Sequence, residues 1–298
     1  MINKIYVYGA GAIGSVLAAK LSEHYDVLAV GNKEHVKAIQ NTGLKVSGLE
    51  NNTYNFRVAT TITDIDQNSV IFLTTKAQDT ENAIKLIGKY IHLTTTIVCI
   101  QNGLGSEDVV RNHVKCPVVR AITYISSEMI NPGQVKLVEL LPTYFEKKDQ
   151  DIARLFDKAG LQTVVVNDLR QQIWKKLVFN CVINGLGTIL GVFNNQLDNP
   201  LLTDIKKSIV TECQSVAKAE RVDLDKNILD QINIFIKSST NVNSTLQDLQ
   251  RGKGTEVEYL NGAIVKLGEK HGIATPVNKM ILDLIKYLET NRIRLLLR

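Results

Sequence analysis

The sequence predicts an α/β protein, with a Rossmann-like, doubly wound N-terminal domain over residues 1–168 and an all-helical C-terminal domain over residues 169–298. Three observations carry that reading. A glycine-rich turn, Gly9-Ala10-Gly11-Ala12-Ile13-Gly14, sits between a β-rich run and a helix-forming run. Short apolar runs of strand type then alternate with helical segments to about residue 115, as a parallel sheet requires. Past Asp168 the strand-type runs stop and the pattern is helical almost to the end.

Each element has its own justification. IYVY at 5–8 is a short β-rich run, SVLAAKLSEH at 15–24 an expected amphipathic helix, and DVLAV at 26–30 a second strand. VIFLTT at 70–75 and TTIVCI at 95–100 are continuous apolar runs of the buried-strand kind, each followed by a helical segment. From about residue 115 the period shifts toward two. PVVRAITYISSEMI and, after Asn131-Pro132-Gly133, QVKLVEL are expected to form a strand pair joined by a turn. LQTVVV at 161–166 is the last strand. Helix caps or breaks follow near Asn199-Pro200, Asp223, Ser244, Gly254 and Thr275-Pro276. The closing NRIRLLLR reads as a frayed helix or tail whose leucines could dock on a neighbouring subunit, and a homodimer is expected.

Composition removes several function classes. At 298 residues, 44% hydrophobic and 22% charged, the chain has the make-up of a soluble two-domain protein. Its net charge of +5 is spread along the chain, without the basic clusters of a nucleic-acid binder. No apolar run is long enough to span a membrane, and Met1 leads directly into strand-type sequence without a secretory leader. Cys99, Cys116, Cys181 and Cys213 are far apart and form no C-x-x-C pair, as expected of reduced thiols in a cytoplasmic protein. The five histidines lack metal-ligand spacing, so no metal is expected and each reads as a surface or internally paired His. No G-x-S-x-G motif supports hydrolysis.

The glycine turn has a mechanical reading. Gly9 allows the tight turn, Gly11 lets a pyrophosphate approach the backbone, and Gly14 permits close packing of helix on strand. The helix N-terminus reached through Ala10, Ala12 and Ile13 favours phosphate charge. At the end of the second strand an acid would hold the ribose hydroxyls of NAD, and an Arg would pair with the 2′-phosphate of NADP. This chain has neither, reading Val30-Gly31-Asn32-Lys33. Asn32 can bond a hydroxyl or a phosphate, and Lys33 can supply positive charge or sit in solvent. The balance leans to NADPH, with NAD as the alternative.

Between Trp174 and Asn184 the chain reads WKKLVFNCVIN, a nearly apolar helix with one polar line. Lys176, Asn180 and Asn184 are four apart and so share a face. Buried, such groups must find partners, either in an internally satisfied network or in a ligand. Other polar residues stand where a parallel sheet puts its ligands or in the helical half: Lys76 after VIFLTT, Gln101-Asn102-Gly103 after TTIVCI, and Ser244 and Glu256 downstream. Alone, Lys76 could be a surface lysine, Ser244 a helix cap, and Glu256 a solvated helix residue.

Together these pieces resemble the ketopantoate reductase family (2-dehydropantoate 2-reductases) over nearly the whole chain. The likeness rests on GAGAIG, T-K-A at 75–77, Q-N-G at 101–103 and W-x-K-L-x-x-N-x-x-x-N at 174–184. It continues through Asn194, S-x-x-L-Q-D at 244–249, T-E-V at 255–257 and H-G-I-x-x-P-V-N at 271–278. The resemblance implies reduction of 2-dehydropantoate to (R)-pantoate, a step in pantothenate and coenzyme A synthesis. It makes Lys176 the general acid and Glu256 the essential carboxylate. Asn180, Asn184, Asn194, Ser244 and Asn102 become substrate ligands, with Lys76, Asn102 and Glu256 on the cofactor side. Chemistry agrees, since a lysine ammonium beside a carbonyl oxygen both stabilises the developing oxyanion and delivers its proton. Two departures stand out. The family's usual Pro after the second Asn is replaced by Gly185-Leu186-Gly187, which could alter the pocket wall, and its usual NADP-binding Arg by Asn32. They leave two alternatives: an NAD-dependent D-2-hydroxyacid dehydrogenase on the same scaffold, and a dinucleotide-sensing protein without catalysis.

Overall fold

Alternation decides the architecture of the first half. In strand β1 (Ile5–Tyr8), Ile5 and Val7 enter one core, while Tyr6 and Tyr8 enter the core on the opposite face. The structure, a computed structural model, describes Ile2 and residues 4–291. The leucine-rich tail at 292–298, with its expected docking role, lies outside the described residues. Two compact units result, one of residues up to Gln101 plus Gly105–Leu169, the other of Asn102–Leu104 plus residues from Arg170 onward.

In the first unit, helix α1 (Ala12–Ser22) leads to β2 (Val27–Val30), then α2 (Lys33–Thr42), β3 (Leu44–Gly48), β4 (Asn52–Tyr54) and β5 (Arg57–Ala59). Next come β6 (Val70–Leu73), α3 (Thr80–Ile87), β7 (Thr96–Cys99), α4 (Ser106–Arg111) and β8 (Val118–Thr123). The unit ends with β9 (Ser126–Asn131), β10 (Gln134–Glu139), β11 (Thr143–Glu146), α5 (Gln150–Lys158) and β12 (Thr163–Val166). Eight strands form the main sheet in the order β12-β11-β8-β7-β6-β1-β2-β5. All its pairings are parallel except β8 with β11. The strand order reverses at β1, which lies between β2 and β6, and such a switch point is where open α/β sheets bind ligands.

Two expectations are corrected. The segment 117–130 is not one member of a strand pair. It breaks at Tyr124, sending β8 into the main sheet and β9 into a second sheet of order β4-β3-β10-β9. The hairpin of β9 and β10 does turn at Pro132-Gly133, where Gly133 has φ +76°. Helix α1 is not amphipathic: Gly14 through Ala19 are all buried, because it packs against β1 and β2 of one sheet and β3, β9 and β10 of the other. A helix covered on both sides must be apolar all round.

The second unit is helical: α6 (Arg170–Leu190), α7 (Thr203–Ala219), α8 (Ile228–Ser238), α9 (Ser244–Gln250), α10 (Asn261–His271) and α11 (Pro276–Thr290). Its core gathers around α6 through Leu177, Val178, Cys181 and Val182, packed with α7, α10 and α11. Gly185 has a packing reason, since an added Cβ would stand 3.0 Å from Ile281 of α11. All four cysteines are buried and free.

Candidate active site

The first unit builds a dinucleotide cradle at the end of β1. Gly9 has φ +114°, and a Cβ there would come within 2.4 Å of the Thr75 backbone nitrogen, so only glycine fits. A Cβ on Gly14 would lie 2.3 Å from the Gly9 carbonyl oxygen. Gly11 differs: the nearest atom to an added Cβ is 3.9 Å away, so the protein's own packing does not demand glycine there. The exposed surface at Gly11 is the room a ligand backbone approach needs. Gly11 offers no side chain to cap α1, leaving the first-turn N–H groups of Ala12, Ile13 and Gly14 available to an anion. These features fit a dinucleotide pyrophosphate. Thr74, which carried no signal of its own, fastens the turn by donating its hydroxyl to the Gly9 carbonyl at 2.8 Å.

Beyond β2, Asn32 is exposed and caps α2, its Oδ1 accepting the His35 N–H at 2.9 Å. What it has left to offer is its Nδ2 donor. Lys33 is exposed at the first position of α2, and Lys76 is half-buried after β6. His35 is fully enclosed. Its Nδ1 accepts from the Gly133 N–H at 2.9 Å, which puts the ring proton on Nε2, 2.9 Å from Ser15 Oγ. Burial holds its pKa below the usual histidine value.

In the second unit the polar line of α6 is present. Lys176 and Asn180 are half-buried and Asn184 is buried. Lys175 turns elsewhere, its ammonium 5.9 Å from the Phe179 ring. Asn184 donates from Nδ2 to Ser244 Oγ at 3.2 Å and to Thr245 Oγ1 at 3.1 Å. Both amide hydrogens are thereby used, and its Oδ1 remains an acceptor. The Asn180 side chain makes no hydrogen bond with any described residue, so this position of the line is left for solvent or a ligand. Asn194 donates to Ser239 Oγ at 3.0 Å, and its buried Oδ1 has no partner.

Two modest readings from the sequence fall here. Ser244 is not the cap of α9; Asn243 is, with Oδ1 accepting the Leu246 N–H at 2.9 Å, and the Ser244 side chain is exposed. Glu256 is not a solvated helix residue. It precedes a single 3₁₀ turn, is only 8% exposed, and accepts from Asn102 Nδ2 at 3.2 Å. That contact accounts for Asn102, while Gln101 donates from Nε2 to Thr80 Oγ1 at 3.1 Å. Gly103, at φ +81°, passes so close to the Tyr259 carbonyl that a Cβ would lie 2.3 Å from it, and the Leu104 N–H donates to the same carbonyl. The structure thus joins Asn102 to Glu256 and Asn184 to Ser244, while Asn194 is tied to Ser239 and the Asn241 backbone. Thr245, and Thr188 with Asn243 one turn on, make the neighbouring contacts between α6 and α9 and had no motif to mark them. Among the described residues no cluster of His, Cys, Asp or Glu could hold a metal ion, and no helix is long and apolar enough to cross a membrane.

Comparison with known proteins agrees with this construction. Residues 5–150 match the family model "Ketopantoate reductase PanE/ApbA", and residues 168–289 match its C-terminal counterpart. A 2-dehydropantoate 2-reductase of Archaeoglobus fulgidus is 31% identical over 97% of this chain and 99% of its own. A PanE/ApbA family ketopantoate reductase from Ralstonia eutropha superposes with a TM-score of 0.90 at 26% identity, over 97% of this chain and 99% of that one. D-mandelate dehydrogenase, solved with NADH and anilino(oxo)acetate, superposes with a TM-score of 0.92 at 27% identity and the same coverage. The chain belongs to the ketopantoate reductase family and is a dinucleotide-binding oxidoreductase.

Proposed function

We propose that the protein reduces 2-dehydropantoate to (R)-pantoate with NADPH, within pantothenate and coenzyme A synthesis. The observation that carries this reading is the unused hydrogen-bonding capacity along α6 and its neighbours. The Asn180 carboxamide is without a partner among the described residues, and Asn184 and Asn194 have spent Nδ2 on protein hydroxyls and kept Oδ1. These oxygens are acceptors to which a hydroxylated substrate can donate. A 2-oxo acid without a hydroxyl would leave them unpaired, which is costly.

The roles follow from the chemistry of each group. Lys176 presents an ammonium that stabilises negative charge on the carbonyl oxygen and passes a proton to it. The Ser244 hydroxyl, already accepting from Asn184, keeps its own hydrogen for a carboxylate oxygen. Glu256, steadied by Asn102, holds the substrate hydroxyl. The turn Gly9–Gly14 would hold the dinucleotide, which would supply the hydride for the 2-oxo carbon. Asn32 Nδ2 and the Lys33 ammonium are donors without an accompanying acceptor, which suits a 2′-phosphate better than a pair of ribose hydroxyls.

A second reading is an NADH-dependent D-2-hydroxyacid dehydrogenase, favoured by the likeness to D-mandelate dehydrogenase and by the missing Arg after β2. Initial rates with NADPH and NADH on 2-dehydropantoate, 2-oxoisocaproate and phenylglyoxylate decide between them. Fastest turnover of 2-dehydropantoate with NADPH is expected. Preferred reduction of phenylglyoxylate with NADH would install the second reading, and binding of dinucleotide without reduction of any 2-oxo acid would leave a sensor.

A further inference from the structure

One turn beyond Asn184 on α6 lies a second contact with the start of α9. Thr188 is fully buried and donates from Oγ1 to Asn243 Oδ1 at 3.0 Å. The same oxygen takes the Leu246 N–H at 2.9 Å, so one buried carboxamide both caps α9 and ties it to α6. Gly187 makes the approach feasible, because a Cβ there would stand 2.7 Å from Asn243 Nδ2. The Gly185-Leu186-Gly187 departure is therefore a packing device as far as these contacts go: Gly185 admits Ile281 and Gly187 admits Asn243.

We infer that Thr188 and Asn243, with Gly187 giving them room, are positioning residues that set the distance between Asn184 and Ser244. The inference rests on the reading of those two residues as substrate ligands. Residues 244 and 245 follow Asn243 directly, so wherever Asn243 is pinned along α6 decides whether Asn184 Nδ2 can reach both hydroxyls at once. Without the tie, Asn184 rotates freely, and neither its Oδ1 nor the Ser244 hydroxyl is held ready for substrate. Pre-set geometry of this kind lowers the cost of ordering on binding.

Thr188→Val tests it, removing the donor while nearly keeping the shape, and Thr188→Ser restores the hydroxyl. The Val variant is expected to raise KM for 2-dehydropantoate roughly three- to tenfold, the worth of one neutral hydrogen bond. Its kcat and its KM for NADPH should stay within about twofold. Amide hydrogen exchange at Leu246, read on substrate-free protein, should quicken in Thr188→Val and return to the wild-type rate in Thr188→Ser. Gly187→Ala, which pushes on Asn243 from the other side, should reproduce the KM effect if the Val variant folds poorly. Quicker exchange with an unchanged KM would reduce the pair to a helix cap, and unchanged exchange would remove the tie altogether. Because exchange needs no substrate, a wild type that reduced no 2-oxo acid would sink the functional reading while the tie itself was still judged.

Discussion

Two groups of asparagines in the second unit are put to opposite uses. Asn261 and Asn278 have no exposed surface. Asn261 Nδ2 donates to the Cys181 carbonyl at 3.2 Å and to Asn278 Oδ1 at 2.9 Å. Asn278 Nδ2 reaches Glu212 at 2.7 Å, and that carboxylate also accepts the Val277 and Asn278 N–H groups at 2.9 Å each. The result is a sealed knot that caps α11 and ties it to α6 and α7, with Asn261 Oδ1 alone left without a donor. On the same α6, the Asn180 side chain bonds to no described residue, and Asn184 keeps an oxygen in reserve beside an exposed serine. Residue type does not separate the two groups. Access does: Asn261 and Asn278 have no exposed surface, whereas Asn180 is half-buried and Asn184 stands beside an exposed serine, and so the first group reads as stability and the second as binding.

The comparison breaks most visibly at Lys176, half-buried on the polar line of α6. Lys176→Ala is expected to lower kcat by ~10²–10⁴-fold, the usual range for a general acid, with dinucleotide affinity unchanged. A loss under about tenfold would take that role from it. Glu256→Ala comes next. Losing a hydrogen bond to a charged group is worth ~1.5–3 kcal/mol, so KM for 2-dehydropantoate should rise about ten- to a hundredfold with some loss of kcat. Normal kinetics in that variant would move this buried carboxylate to the sealed class.

Smaller effects belong to the first unit. Lys33 is exposed, so the proposed pairing with a 2′-phosphate would be worth only ~0.2–1 kcal/mol. Lys33→Ala should raise KM for NADPH a few-fold, spare NADH, and show a difference that shrinks with added salt. Asn32→Asp should turn preference toward NADH while still capping α2. A wild type that already prefers NADH would remove both assignments. His35 is the sealed counterpart in this unit. Burial depresses its pKa below the ordinary 6.5, so the folded state takes up its proton less readily than the unfolded chain. Its contribution is whole above pH 6.5 and is lost as pH falls through the folded-state value. Urea midpoints should therefore drop on acidification in the wild type, and less steeply in His35→Gln. Equal slopes would deny His35 the effect.

Much of this was legible in the sequence because it rests on local periodicity. The glycine turn, the buried strands and the i, i+4 polar line each declare themselves within about ten residues. What was hidden depends on partners distant in sequence. The surroundings of α1 are set by strands up to Glu139, so its burial on two sides cannot be read from residues 15–24. β3 and β4 are short and partly exposed, with little apolar pattern to announce a second sheet. Asn243 and Ser244 are both good caps, and only the bond from the Leu246 N–H to Asn243 Oδ1 shows which one serves. Thr74 and Thr188 are ordinary threonines until the Gly9 carbonyl and the Asn243 carboxamide are placed beside them.

The central claim, that open carboxamides bind substrate and sealed ones hold the fold, is tested most directly by one paired measurement. Asn180→Ala and Asn278→Ala are compared for KM on 2-dehydropantoate and for Tm. Asn180→Ala should raise KM roughly fivefold or more, the worth of a good hydrogen bond, and leave Tm within about 2 °C. Asn278→Ala strands Glu212 and Asn261 and should lower Tm by roughly 4–10 °C with KM unchanged. A fall in Tm with intact KM for Asn180→Ala, or the converse for Asn278→Ala, would contradict the account.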